Sequence, residues 1–162
     1  RDSNYSNKLN VNENKIVVGG GSAGGHLAMS LGFWGENSIL PKAMLLFNPV
    51  VSTGPDGYGY RRMEGKHQEI SPIDNIHEHT PPSIIIVGTQ DKVLPVPLAE
   101  RYKALMEQQS IKCELKLYQD QTHAFFNRMP FFANTLNDCD EFLQKNGLLD
   151  GGSTVYSQYK LD

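Results

Sequence analysis

Residues 15–31 hold three patterns in unbroken succession. Lys15-Ile16-Val17-Val18-Gly19 is a short apolar run, the signature of a strand covered on both faces of a parallel sheet. Gly19-Gly20-Gly21-Ser22-Ala23-Gly24-Gly25 reads as a glycine-rich turn, and His26-Leu27-Ala28-Met29-Ser30-Leu31 as helix. A strand that passes into a helix through so little side-chain bulk confines the chain to folds in which the two pack closely.

The rest of the chain repeats the alternation. Ala43–Phe47 is a second apolar strand, stopped by Asn48-Pro49, and Ser83–Gly88 is a third. Leu98, Tyr102, Leu105 and Met106 form one face of a helix over Val96–Gln109. Cys113–Gln119 alternates, with Cys113, Leu115 and Leu117 on one face and Glu114, Lys116 and Tyr118 on the other. This predicts a fourth strand, half open to solvent, at a sheet edge. Phe132, Leu136, Cys139 and Leu143 mark a last helix, capped by Gly147. Phe33 and Trp34 read as core or cap packing. Residues 52–82 carry no period, which points to a functional or flexible segment.

The expectation is an α/β fold: a parallel four-stranded sheet in sequence order with helices on both faces. It forms a single domain over residues 1–162, with a loose tail at 151–162. Near the start, Tyr5 and Leu9 are spaced for a short helical stub. A chain of 162 residues buries enough surface to need no disulfide or metal staple. Cys113 and Cys139 accordingly read as reduced, buried fillers. A net charge of −3 argues against nucleic acid as a partner. No apolar run approaches the ~18 residues of a membrane span. The chain opens on Arg1 with no signal-like segment, so it reads as processed or partial, and its compartment stays open.

Gly20-Gly21-Ser22-Ala23-Gly24 matches G-x-S-x-G between a strand and a helix. That spacing places a serine on a sharp, strained turn, with Gly20, Gly21 and Gly24 giving the room the turn needs. The N–H of Ala23, at the helix start, is a candidate donor to a developing oxyanion. The same glycines also spell G-x-G-x-x-G, as Gly19, Gly21 and Gly24, so a dinucleotide-binding turn is a rival. That rival needs an acidic residue at the end of the second strand, where this chain has Asn48-Pro49.

A serine nucleophile needs a base and an orienting acid, in the order Ser, Asp, His at successive strand ends. Asp91 follows the third strand and His123 the fourth. Asp120 is a rival acid, but it lies three residues before His123 and shares its loop. His77-Glu78-His79 lacks the further ligands of a closed metal site, and His26 reads as lining the pocket or, more readily, as structural support for the turn. No metal and no cofactor is implied.

With these residues in hand, the chain resembles the α/β-hydrolases, and more narrowly the esterase/lipase group related to hormone-sensitive lipase, bacterial acetyl-esterase-like members above all. The resemblance rests on Gly20–Ala28, Gly88-Thr89-Gln90-Asp91 and His123–Asn127, and spans residues 10–147. It implies a small-molecule ester as substrate, with Ser22 as nucleophile, Asp91 as acid and His123 as base. Ala124 stands where the family usually has glycine. The likeness is to the carboxyl-terminal half of the family fold. The family's His-Gly-Gly segment, which supplies an oxyanion donor, has no counterpart in these residues. Loss of one such donor lowers turnover by roughly 100–1,000-fold, so weak activity is expected. The alternatives are an inert fragment acting as an assembly or binding module, and a nucleotide-binding domain. The Lys15–Gly19 strand, apolar on both faces, is the expected edge of a homodimer.

Overall fold

The computed structural model describes residues 12–34, 40–62, 65–153 and 155–159; the expected stub at Tyr5 and Leu9 lies outside them. Strands β1 (Val17–Gly21), β2 (Ala43–Phe47), β3 (Ser83–Gly88) and β4 (Cys113–Tyr118) form one parallel sheet in sequence order. Helices α1 (Ala23–Trp34), α2 (Val96–Gln108) and α3 (Phe131–Lys145) complete the expected α/β fold.

The continuous apolar strands are explained by what covers them. Met44 and Leu46 of β2, with Ile85 and Val87 of β3, face a core that includes Met29 and Phe33 of α1 and Leu98, Tyr102 and Met106 of α2. The alternate residues, Ala43 and Leu45 of β2 and Ile84 and Ile86 of β3, face Cys139 and Phe142 of α3. Each strand residue thus has an apolar partner whichever way the pleat points it. Helix α1 buries Gly25, Ala28, Met29, Gly32 and Phe33, one face at helical spacing, while Trp34 remains 43% exposed rather than in the core.

The glycine-rich turn is shorter than the sequence indicates. Gly19, Gly20 and Gly21 are strand residues, paired with Leu45, Leu46 and Phe47. Helix α1 opens at Ala23, leaving Ser22 as the only residue between the two elements. Glycine runs are weak strand formers, and here the ladder to β2 overrides that preference.

Three further expectations concern the edge strand, the last helix and the tail. The polar face of β4 is half-exposed, as expected at a sheet edge, and its side chains pair with α3. Lys116 pairs with Asp138 at 2.9 Å, Tyr118 Oη donates to Asp138 at 2.6 Å, and Glu114 meets Lys145 at 3.5 Å. The buried side of α3 is Ala133, Thr135, Cys139 and Phe142, so only Cys139 of the expected stripe is fully buried. Gly147 does end this helix, at φ +68°, with Leu148 N–H bonded to the Leu143 carbonyl at 2.9 Å. In the tail, expected to be loose, Val155–Tyr159 forms a helical turn. Val155 is buried, and the Tyr159 ring meets Phe132 edge-on at 5.4 Å.

Candidate active site

Ser22 sits at φ +54°, in the left-handed region that non-glycine residues avoid. Its backbone is held on both sides: its N–H donates to Phe47 O at 2.9 Å, and its carbonyl accepts from His26 N–H at 3.1 Å. A Cβ on Gly20 would lie 2.4 Å from the carbonyl of Gly24, so the close strand-to-helix approach falls on Gly20. A Cβ on Gly24 would meet nothing within 4 Å, and the expected steric demand is absent there. At Gly21 a Cβ would lie 2.6 Å from the Phe126 ring, which also packs on Phe47 with centroids 5.1 Å apart. The loop that carries His123 is thereby seated on the serine turn.

Ser22, Asp91 and His123 form one hydrogen-bonded chain. His123 Nε2 lies 2.9 Å from Ser22 Oγ, and its Nδ1 lies 2.8 Å from Asp91 Oδ2. With Nδ1–H donating to the carboxylate, Nε2 is the acceptor for the serine hydroxyl. The Asp91 side chain is completely buried, whereas His123 is 28% exposed and can be reached. A buried carboxylate is tolerated only when its oxygens are bonded. Asp91 Oδ1 accepts from the N–H groups of Val93 at 2.7 Å and Leu94 at 3.0 Å. The turn-capping role and the partnership with His123 are therefore held by one side chain.

Asp120 is not brought to His123. Its Oδ1 accepts from Gln90 Nε2 at 3.3 Å and Gln119 Nε2 at 3.1 Å on the exposed side of the loop. His26 Nε2 donates to the Ile70 carbonyl at 2.7 Å, tying α1 to the aperiodic segment, as its structural reading anticipates. His77 Nε2 donates to Phe33 O at 3.1 Å. Among the described residues, no three His, Cys, Asp or Glu side chains are grouped to hold a metal, and no helix is long and apolar enough to cross a membrane. Ala23 is the first residue of α1, where backbone N–H groups have no partner within the helix.

One residue escaped the sequence reading. Asn48, taken there only as the stop of β2, is completely buried and donates from Nδ2 to Asp91 Oδ2 at 2.5 Å. The available signal was its place: a polar residue directly after a strand, at the sheet edge where Ser22, Asp91 and His123 also lie.

A serine hydroxyl bonded to imidazole, backed by a buried carboxylate, can lose its proton as it attacks a carbonyl carbon. Comparison with known proteins finds esterases. An acetylxylan esterase of Xylanibacter ruminicola is 28% identical over 132 residues, which is 72% of this chain and 27% of that protein. Apo esterase 2 of Thermogutta terrifontis superposes with a TM-score of 0.82 at 30% identity, over 91% of this chain and 62% of that one. The propionate-bound form gives a TM-score of 0.80 at 30% identity, over 93% and 62%. This chain therefore spans less than two thirds of each relative. The sequence motifs resemble the group related to hormone-sensitive lipase, but the family that matches is another. Residues 3–145 match the dienelactone hydrolase family, and the chain belongs to that family within the α/β-hydrolase superfamily.

Proposed function

We propose that this chain carries the nucleophile, base and acid of a carboxylic ester hydrolase acting through an acyl-serine. The observation that carries the reading is the unbroken path Ser22 Oγ to His123 Nε2, and His123 Nδ1 to Asp91 Oδ2, at 2.9 and 2.8 Å. Ser22 Oγ attacks the ester carbonyl while His123 takes its proton. The tetrahedral oxyanion is met by the N–H of Ala23. Collapse breaks the bond to the alcohol, which leaves with the proton from His123. Water then attacks the acyl-serine by the same route, giving the acid and free Ser22. Asp91 holds the imidazole tautomer and steadies the imidazolium. No cofactor enters. Small acyl groups are the proposed class, supported by the propionate-bound esterase and the acetylxylan esterase. Kinship with the group related to hormone-sensitive lipase rests on the motif residues, and the reaction does not depend on it.

The test is reaction with a fluorophosphonate, followed by intact-mass analysis and by hydrolysis of p-nitrophenyl acetate. One adduct is expected, absent in Ser22→Ala together with the hydrolysis. An adduct that persists in Ser22→Ala overturns the assignment. A folded chain that neither labels nor hydrolyses favours the binding-module alternative. The nucleotide-binding alternative lacks its ribose-binding acid, since Asn48 occupies the end of β2 and donates to Asp91.

We also propose that two copies pair through β1. Among the described residues β1 has a strand neighbour on one side only, and Ile16 beside it is 42% exposed. Helix α1, which packs on β1, leaves Leu27, Leu31 and Trp34 exposed at helical spacing. An open apolar edge of this kind recruits another strand.

A further inference from the structure

We propose that Asn48 is a positioning residue that orients Asp91 toward His123. This rests on the ester hydrolase reading of the site. The amide of Asn48 and the imidazole of His123 converge on the same atom, Asp91 Oδ2, at 2.5 and 2.8 Å. The other carboxylate oxygen is taken by the N–H groups of Val93 and Leu94. Those two bonds anchor one oxygen but leave the carboxylate plane free to swing about it. The donor on Oδ2 opposite His123 stops that swing, and Asn48 is that donor.

Asn48 is held at a position that folding alone would not favour. Its backbone is left-handed, at φ +44°. Its own Oδ1 is buried with no hydrogen-bond partner. Asparagine tolerates the left-handed backbone better than most residues, but a buried, unpaired amide oxygen costs stability unless the amide performs a task. Its surroundings show the task. Asn48 N–H donates to Ile86 O at 2.8 Å, extending the β2–β3 ladder one residue past the strand. The preceding carbonyl, Phe47 O, accepts the N–H of Ser22 at 2.9 Å. Two adjacent residues at the end of β2 thus hold the backbone of Ser22 and the carboxylate of Asp91. The segment spans the two ends of the relay and keeps them in register.

Asn48→Gly tests this, because glycine accepts the left-handed backbone and removes the amide along with the rest of the side chain. The expected result is a cooperatively folded protein whose Ser22 reacts with fluorophosphonate ~10–100-fold more slowly, the scale of a small misplacement at a reacting group. With p-nitrophenyl acetate the loss falls on kcat, with KM little changed. The downfield proton resonance of His123 Nδ1, read by NMR, shifts or broadens. Asn48→Asp keeps the side-chain volume and serves if the glycine variant does not fold: two carboxyl groups at this separation share a proton, and the same resonance is displaced. The proposal is overturned if a folded variant keeps both the wild-type labelling rate and the wild-type resonance. If wild-type Ser22 does not label, the hydrolase reading fails by itself. The resonance then decides the role of Asn48: displacement supports it, and an unchanged signal overturns it.

Discussion

Asp91 Oδ2 and His123 Nδ1 meet at 2.8 Å although 32 residues separate them in sequence. Their strands are neighbours in register, Gly88 beside Tyr118, so the two loops leave the sheet at the same level. The parallel sheet brings them together. Asp91→Asn keeps the volume but presents an NH₂ group or a weaker acceptor to Nδ1, favouring the wrong tautomer. Ester turnover is expected to fall ~10⁴-fold, and thermal stability to fall with it, because the new NH₂ group faces either the buried N–H groups of Val93 and Leu94 or the amide of Asn48. Steady-state kinetics and a melting curve check both, and turnover within tenfold of wild type would sink the role assigned to Asp91.

Gly20 and Gly24 flank Ser22 symmetrically in sequence, yet their alanine variants should differ. A methyl at Gly20 meets the Gly24 backbone at 2.4 Å, which cannot move aside without opening the turn. Gly20→Ala is expected to destabilise the fold by about 1–3 kcal/mol, the cost of overpacking. Gly24→Ala enters open space on a helix and should be neutral or stabilising by up to ~1 kcal/mol. Urea titrations of the two variants measure the contrast; equal destabilisation would refute it.

Ala124 adopts φ +63°, the conformation that glycine takes without strain. Ala124→Gly should therefore stabilise the chain by up to ~1 kcal/mol, since the left-handed penalty exceeds the entropic penalty of glycine. For a domain of this size that raises Tm by ~2–4 °C. A lower Tm in calorimetry would contradict the argument.

The two cysteines predict an alkaline limit to stability. Burial pushes the Cys113 thiol up to about 11, partly offset by the hydrogen bond from Ser83. Burial pushes Cys139 up to about 12, helped by the charges of Asp138 and Asp140. Their ordinary value is 9.0. Above that value the unfolded chain releases thiol protons that the folded chain keeps. Stability is thus fully present below about pH 9 and falls as pH rises toward the folded values. Denaturant melts from pH 8 to 10.5 should show the decline, less steep in Cys113→Ala/Cys139→Ala. Thiol titration should find both groups unreactive in the native chain and free after unfolding, because both are buried and unlinked. An identical decline in the double variant would place the cause elsewhere.

The proposed pairing at β1 predicts a dimer by light scattering at micromolar concentration. Ile16→Lys, a charge at the exposed apolar residue beside this edge, should shift the chain toward monomer. A wild-type monomer whose Ile16–Val18 amides resist hydrogen exchange would show that the edge is covered from within the chain.

Local pattern carried much of this protein into the sequence. The apolar runs at Ala43–Phe47 and Ser83–Gly88 are covered on both faces, and such runs point to a parallel sheet with helices on each side; the run at Ile16–Val18 has the same look but leads into the half-buried edge strand β1. Ser22, Asp91 and His123 were legible because each lies within five residues of the end of a strand, and a parallel sheet delivers every strand end to one edge. Other features depend on neighbours distant in sequence, and only the folded chain decided them. Glycines 19–21 are strand because β2 supplies their ladder, and the polar face of β4 finds its ion-pair partners in Asp138 and Lys145 of α3. Asn48 reads as a strand stop until the 43-residue span to Asp91 closes and its amide finds the carboxylate. Periodicity reports which face of an element is buried; what that face touches is a property of the tertiary structure.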